Sequence, residues 1–149
     1  MPSEQAFPQR PTRDVDNTIA WLIANHFALV EHKGPEGMGF QMFLYGRSDG
    51  ARVRLSTQRD QWMSDLWWPT WGNWFDLDVI VHAMSGTKQW DIRPTGPLLP
   101  DQLPVGVEWK HAIPEALLWA ASMPDAVSVL ERLQRERADA MFGPTPDSP

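Results

Sequence analysis

The chain has no cysteine, which excludes disulfide frameworks and thiolate chemistry from the outset. Long apolar runs are missing as well. No segment approaches the roughly 18 residues of a membrane-spanning helix, and the mean hydropathy is -0.39. The opening MPSEQAFPQRPTRD has no hydrophobic segment after its charges, so a secretory signal is not expected and a soluble, cytoplasmic protein is. Basic residues are scarce: 13 Lys and Arg face 19 Asp and Glu, for a formal charge of -6 and a pI near 5.1. That balance disfavours nucleic acid, whose phosphates are met mainly by Lys and Arg, and suits a basic partner. There is no GxSxG elbow and no Gly-rich phosphate loop. The histidines, His26, His32, His82 and His111, lack metal-ligand spacing, so structural roles are expected for them and no metal or cofactor is implied.

What is present is one domain's worth of globular chain. At 149 residues, 42% hydrophobic and 21% charged, it is long enough for a single core. Prolines 2, 8 and 11 and prolines 144, 146 and 149 mark flexible ends at 1–13 and 143–149, which leaves 14–142 as the folded unit. Asp14 or Asp16 can cap a helix over about 15–25, whose inner face would carry Val15, Ile19, Leu22, Ile23 and His26. Four segments with turn signals between them then read as antiparallel strands: 27–33, 39–46, 51–57 and 61–67. Val53 and Leu55 face one way, Arg52, Arg54 and Ser56 the other.

Residues 77–84 fit a helix with Asp76 as N-cap and Gly86 beyond its end, although Val79, Ile80 and Val81 are β-branched. KQWDIR suits a short strand, four prolines between 94 and 104 an extended crossover, and Pro114 the first turn of a helix to Ser122. Ser122 with Asp125 resembles a capping box for a last helix at about 124–141, with Val127, Leu130, Leu133 and Met141 inside. The expected fold class is α+β: a meander sheet of four or more strands, an N-terminal helix packed on it, and C-terminal helices.

The most unusual stretch runs from Asp60 to Thr87. Five of the nine tryptophans, Trp62, Trp67, Trp68, Trp71 and Trp74, lie there with Asp60, Asp65, Asp76 and Asp78 and without a Lys or Arg. Trp62, Trp21, Trp90, Trp109 and Trp119 suit the core. Trp67, Trp68, Trp71 and Trp74 surround the loop formers Pro69, Gly72 and Asn73, where some exposure is expected. Asp76 and Asp78, walled by aromatic rings, could serve as acid or base in a pocket, but a helix cap and a first-turn acid explain them more simply. Arg47, Arg52, Arg54 and Arg59 form a basic cluster. Arg52 and Arg54 either receive an anion or pair across strands with Asp65 or Glu31, and pairing is favoured.

Within this stretch RVRLSTQRDQWMSDLWWPTWGNWFDLDV, residues 52–79, resembles small actinobacterial immunity proteins of polymorphic toxin systems. Arg59, Gln61, Trp62 and Asp65 match the turn-and-strand block of those proteins, and Trp74, Phe75, Asp76 and Asp78 the second block. The resemblance implies a cytoplasmic, non-catalytic inhibitor that occludes the active site of a cognate toxin. The expectation is therefore a protein-binding module rather than an enzyme, with a basic toxin domain as partner and Trp67, Trp68, Trp71, Trp74, Asp65, Asp76, Asp78 and Arg59 in the contact. The rival is a small-molecule or carbohydrate binder, or an enzyme, with an aromatic pocket using Asp76 or Asp78.

Overall fold

The computed structural model describes residues 12–58, 61–86, 103 and 107–142. In chain order these form α1 (Thr12–Ala24), β1 (Ala28–Lys33), a 3₁₀ turn at Gly37–Gly39, β2 (Gln41–Gly46), β3 (Arg52–Gln58), β4 (Gln61–Trp67), β5 (Trp74–Asp76), α2 (Leu77–Ser85), α3 (Trp109–Ser122) and α4 (Val127–Phe142). The expected strand KQWDIR, the proline-rich crossover apart from Leu103, Trp90, and the expected flexible ends apart from Thr12 and Arg13 lie outside the described residues. Thr12 and Arg13 begin α1. The fold is α+β, with the five strands in the order β1-β2-β3-β4-β5 and every neighbouring pair antiparallel.

Short turns between consecutive strands leave the chain little alternative to a meander. Strand β3 shows the logic: Val53, Leu55 and Thr57 are buried, whereas Arg52 is exposed and Arg54 and Ser56 are half-buried. Cross-strand register extends this alternation across the sheet. Leu29, Tyr45, Val53, Leu66 and Phe75 share one row of the inner face, and Phe43, Leu55 and Ser64 share the next. The inner face meets the helices in one apolar core, which includes Leu22 of α1, Leu77 and Ile80 of α2, Trp109 and Ile113 of α3 and Leu130 of α4. An aromatic chain leads from the surface to this core: exposed His32 stacks on Phe43 at 4.5 Å, Phe43 on Trp62 at 6.5 Å, and Trp62 meets the buried Trp109 edge-on at 6.2 Å.

Helix α1 turns most of the expected face inward, with Ile19 packed against the core beside Val15 and Leu22, but the face is shifted towards the start of the helix. Asp14, Val15, Thr18 and Leu22 are buried, but Ile23 is 61% exposed and His26 is exposed beyond the helix end. The reason is polar. The Asp14 carboxylate accepts the Trp109 backbone N–H at 2.8 Å and the Lys110 N–H at 3.4 Å, while the Thr18 hydroxyl donates to the Asp14 carbonyl at 2.8 Å. Asp14 thus caps α3, ninety-five residues away in sequence, rather than its own helix. The positively polarised N-terminus of α3 repays the burial of this carboxylate. His26, at φ 73, closes α1 in the left-handed conformation; the Phe27 N–H reaches the Leu22 carbonyl and the His26 N–H the Ile23 carbonyl, a Schellman arrangement.

Three other boundaries differ from expectation. The capped start at Glu108 lets α3 begin five residues before Pro114, so the proline lies inside the helix instead of in its first turn. The Ser122 hydroxyl donates back to the Trp119 carbonyl instead of forming a capping box, and α4 starts at Val127. The third is β5, a three-residue strand that runs straight into α2. Residues 77–85 are helical, as expected, because Leu77, Val79 and Ile80 all find core contacts and Gly86 ends the helix at φ 70. Val127 packs against the core and Leu130 and Leu133 are buried in it, as their spacing implies.

The expectation that Trp71 sits exposed on a loop does not hold: it is 5% exposed and belongs to the core. Leu55→Ala, Leu130→Ala and Trp71→Ala should therefore all be severe, at about 2 to 5 kcal/mol for the leucines and 3 to 5 kcal/mol for the tryptophan. Urea denaturation of the three variants checks this ranking; a Trp71→Ala cost below about 1 kcal/mol would place the ring outside the core.

Candidate functional site

The tryptophan-rich segment is a tight turn between two paired strands. The Trp71 and Gly72 N–H groups both donate to the Trp68 carbonyl, at 2.9 and 3.2 Å, Gly72 takes φ 64, and the Asn73 side chain accepts the Trp74 N–H at 2.8 Å. This tight path leads Trp71 back into the core, edge-on to Phe75 at 5.9 Å and 6.2 Å from Trp119. The β2–β3 turn braces the segment from outside. Gly50 has φ 94, and a Cβ placed there would lie 2.7 Å from Pro69 Cγ, so glycine is required on both counts. The adjacent Arg47 is held by Asp49 through two hydrogen bonds, which lower the Asp49 pKa, and its guanidinium lies 4.6 Å over the Phe27 ring.

Register places the remaining residues of the stretch on the outer face of the sheet. One row crosses all five strands as Ala28, Gly46, Arg52, Trp67 and Trp74, and the next as Glu31, Leu44, Arg54, Asp65 and Asp76. Trp67 and Trp74 are half-buried neighbours. Each ring lies under an arginine, Arg52 at 4.8 Å from the Trp67 centroid and Arg54 at 4.2 Å from the Trp74 centroid. Trp68, also half-buried, packs against the core.

Among the described residues the acids of the stretch, Asp65, Asp76 and Asp78, are not uncompensated, contrary to the reading of the stretch in isolation; Asp60 lies outside the described residues. Arg54 holds Asp65 through two guanidinium–carboxylate hydrogen bonds, one of them from Nε at 3.1 Å. Asp76 and Asp78 share a cation that nothing in the local sequence announces: Arg137 of α4 contacts Asp76 at 2.7 Å and Asp78 at 2.5 Å. Asp76 occupies the N-cap position of α2 but makes no side-chain cap bond, its carboxylate being turned to Arg137 instead. Arg59 lies outside the described residues. Of the eight candidate residues, the fold therefore joins Asp65, Trp67, Trp74 and Asp76 on one sheet face and buries Trp71 and Asp78 behind it.

The electrostatics are those of closed ion pairs. The bond to Asp65 raises the Arg54 pKa, whereas burial, reinforced by the Asp76 charge, raises that of Asp65 against the pull of Arg54. Burial opposes the Arg137 charge, but Asp78 and Asp76 together outweigh it and its pKa is raised. A cavity of about 390 Å³ opens between α2 and α4, lined by His82, Arg132, Leu133 and Glu136 among others, and none of the described tryptophans borders it. The acids of the stretch have no part in that space. Among the described residues, no three His, Asp or Glu side chains come together as a metal set, and no helix is long and apolar enough to cross a membrane.

Arg54→Met keeps apolar cover on Trp74 but strands Asp65. The expected cost is about 1 to 3 kcal/mol at pH 7, less than for a fully buried pair, since the Arg54 side chain is 34% exposed. In the folded variant the Asp65 pKa rises further above its unfolded value, so the loss is complete only above that raised pKa, where the carboxyl is ionised in both states. It shrinks as pH falls through the raised pKa towards about 4, because both states then carry the proton. Denaturation of wild type and variant between pH 4 and 7 measures this, and a difference independent of pH would contradict it. Comparison with protein-family models, with curated proteins and with solved structures finds no match.

Proposed function

We propose that this chain is a non-catalytic, cytoplasmic protein-binding module, a toxin inhibitor of the kind that the resemblance in residues 52–79 implies, and that it meets its partner through the outer face of the sheet. The observation that carries this reading is the composition of one row and its border: half-buried Trp67 and Trp74 side by side, Arg52 exposed above Trp67, and Val30 66% exposed nearby. Trp and Arg are the residues that most often dominate binding energy at protein interfaces, and rings held in place by flanking arginines lose little freedom on binding. An inhibitor needs only such a surface on a stable domain. The side chains that an acid–base mechanism would draw on, Asp65, Asp76 and Asp78, are each held by an arginine.

The formal charge of -6 supports a basic toxin domain as partner in place of nucleic acid, since opposite net charges speed encounter. The contact itself rests on the aromatic row and Val30, because the acids of the stretch already have cations.

A photo-reactive p-benzoylphenylalanine in place of Val30 should cross-link the partner in cells, whereas the same group in place of the exposed Glu131 on α4 should not. The captured protein should be a toxin domain that the wild-type chain inhibits. Adducts from position 131 alone, or a partner whose activity the chain leaves unchanged, would contradict the proposal.

A further inference from the structure

We infer that Arg52 is the selective element of the outer face and that it receives an aspartate or glutamate side chain of the partner protein, with an apolar neighbour of that residue lying against Val30. The inference rests on the outer-face reading above and gives that face a chemical preference. Its basis is the different fate of two arginines on one strand. Arg54 is bound by Asp65 of β4 and lies over the Trp74 ring of β5. Arg52, two residues earlier on the same face, has Trp67 opposite it on β4 and Gly46 opposite it on β2, so no carboxylate stands directly across from it, and Asp65, the acid further along β4, is taken by Arg54. Among the described residues its contact is with the Trp67 ring alone, and its side chain is exposed.

The ground beside Arg52 is shaped for an incoming side chain. Register slips by one residue between Leu29 and Glu31, and such a bulge re-aims the residue within it. Val30 is that residue. Its Cγ2 lies 3.1 Å from where a Cβ on Gly46 would stand, which puts the valine over Gly46 on the outer face, next to Arg52 in the row. Gly46 therefore gives Val30 its place and adds no side chain of its own. The result is a guanidinium already placed over an aromatic ring, 4.8 Å from its centroid, with one flank apolar and open. A planar fork fixed in this way favours a carboxylate, which takes two parallel N–H bonds, over other polar groups. The long-range preference for a basic partner and this local preference for one acid are compatible, since net charge governs encounter and the buried contact governs fit.

The test uses the full chain and a displayed library of random twelve-residue peptides. Peptides selected on wild type should carry Asp or Glu, and Arg52→Gln should raise their Kd about tenfold or more, equivalent to losing roughly 1.4 kcal/mol. Arg52→Lys should lose less, and Arg52→Glu should select Lys- or Arg-bearing peptides instead. Arg52 is exposed, so each variant should keep the wild-type melting temperature. Selection that yields no acidic peptide sensitive to Arg52→Gln overturns the inference. Val30→Ser separates the two readings: peptides weakened by it but not by Arg52→Gln leave the outer face as the binding surface and remove its acid preference, whereas peptides indifferent to both remove the face as well.

Discussion

Arg137 is the side chain on which the arrangement of the unusual stretch depends. It projects from α4 to the junction where β5 becomes α2 and bonds Asp76 at the end of the strand and Asp78 in the first turn of the helix. Asp78 is 3% exposed, and a carboxylate so buried costs several kcal/mol unless a cation and hydrogen bonds accompany it. Supplying that cation ties the last helix to the last strand. It also decides the chemistry of the site, because Asp76 lies beside Asp65 in the sheet and would otherwise add a second carboxylate to a place where one is already strained by burial.

With these charges closed, the outer face divides into two functions. The row through Arg54, Asp65 and Asp76 is internal cement, linked through Arg137 to the helical layer. The row through Arg52, Trp67 and Trp74 carries the exposed guanidinium and the half-buried rings. Aromatic and acidic residues that adjoin in sequence are thus sorted by register. Tryptophans 67 and 74 remain half-buried on the outer face and Trp71 fills the core, while Asp65 is engaged by Arg54 within the sheet and Asp76 and Asp78 hold α4 to it. On the function proposed above, binding would depend on shape, aromatic area and one arginine more than on negative charge.

Much of the architecture was legible because period and turn chemistry are local. The alternation in β3, the turn at 47–50 and the apolar spacing in α4 each point to one outcome, and four helices and four of the five strands follow from them. β5 was not legible, since three residues without a following turn give no alternation to read. The inner face of α1 was legible in Val15, Ile19 and Leu22 but not in its polar part: the test for a buried face counts apolar residues, and Asp14 and Thr18 are buried because Asp14 caps a helix from far along the chain. At the candidate site, the cross-strand pairing of Arg54 with Asp65 could be foreseen from their alternation and turn length, but that of Arg137 could not. Its partners are 59 and 61 positions away, and no spacing rule links a helix near the end of the chain to a strand end at Asp76. Trp71 was misplaced because loop formers on both sides suggest exposure, whereas the turn at Trp68 directs the ring inward.

Asp65, Asp76 and Asp78 of the tryptophan-rich stretch are engaged within the fold by Arg54 and Arg137. A double-mutant cycle with Arg137→Met and Asp78→Asn, read by urea denaturation, tests this most directly. A closed and buried pair predicts a coupling of about 1.5 to 3 kcal/mol, with the double variant more stable than the sum of the single losses allows. Losses that add to within about 0.5 kcal/mol would show that Asp78 does not rely on Arg137, and would return the acids to the surface available for binding.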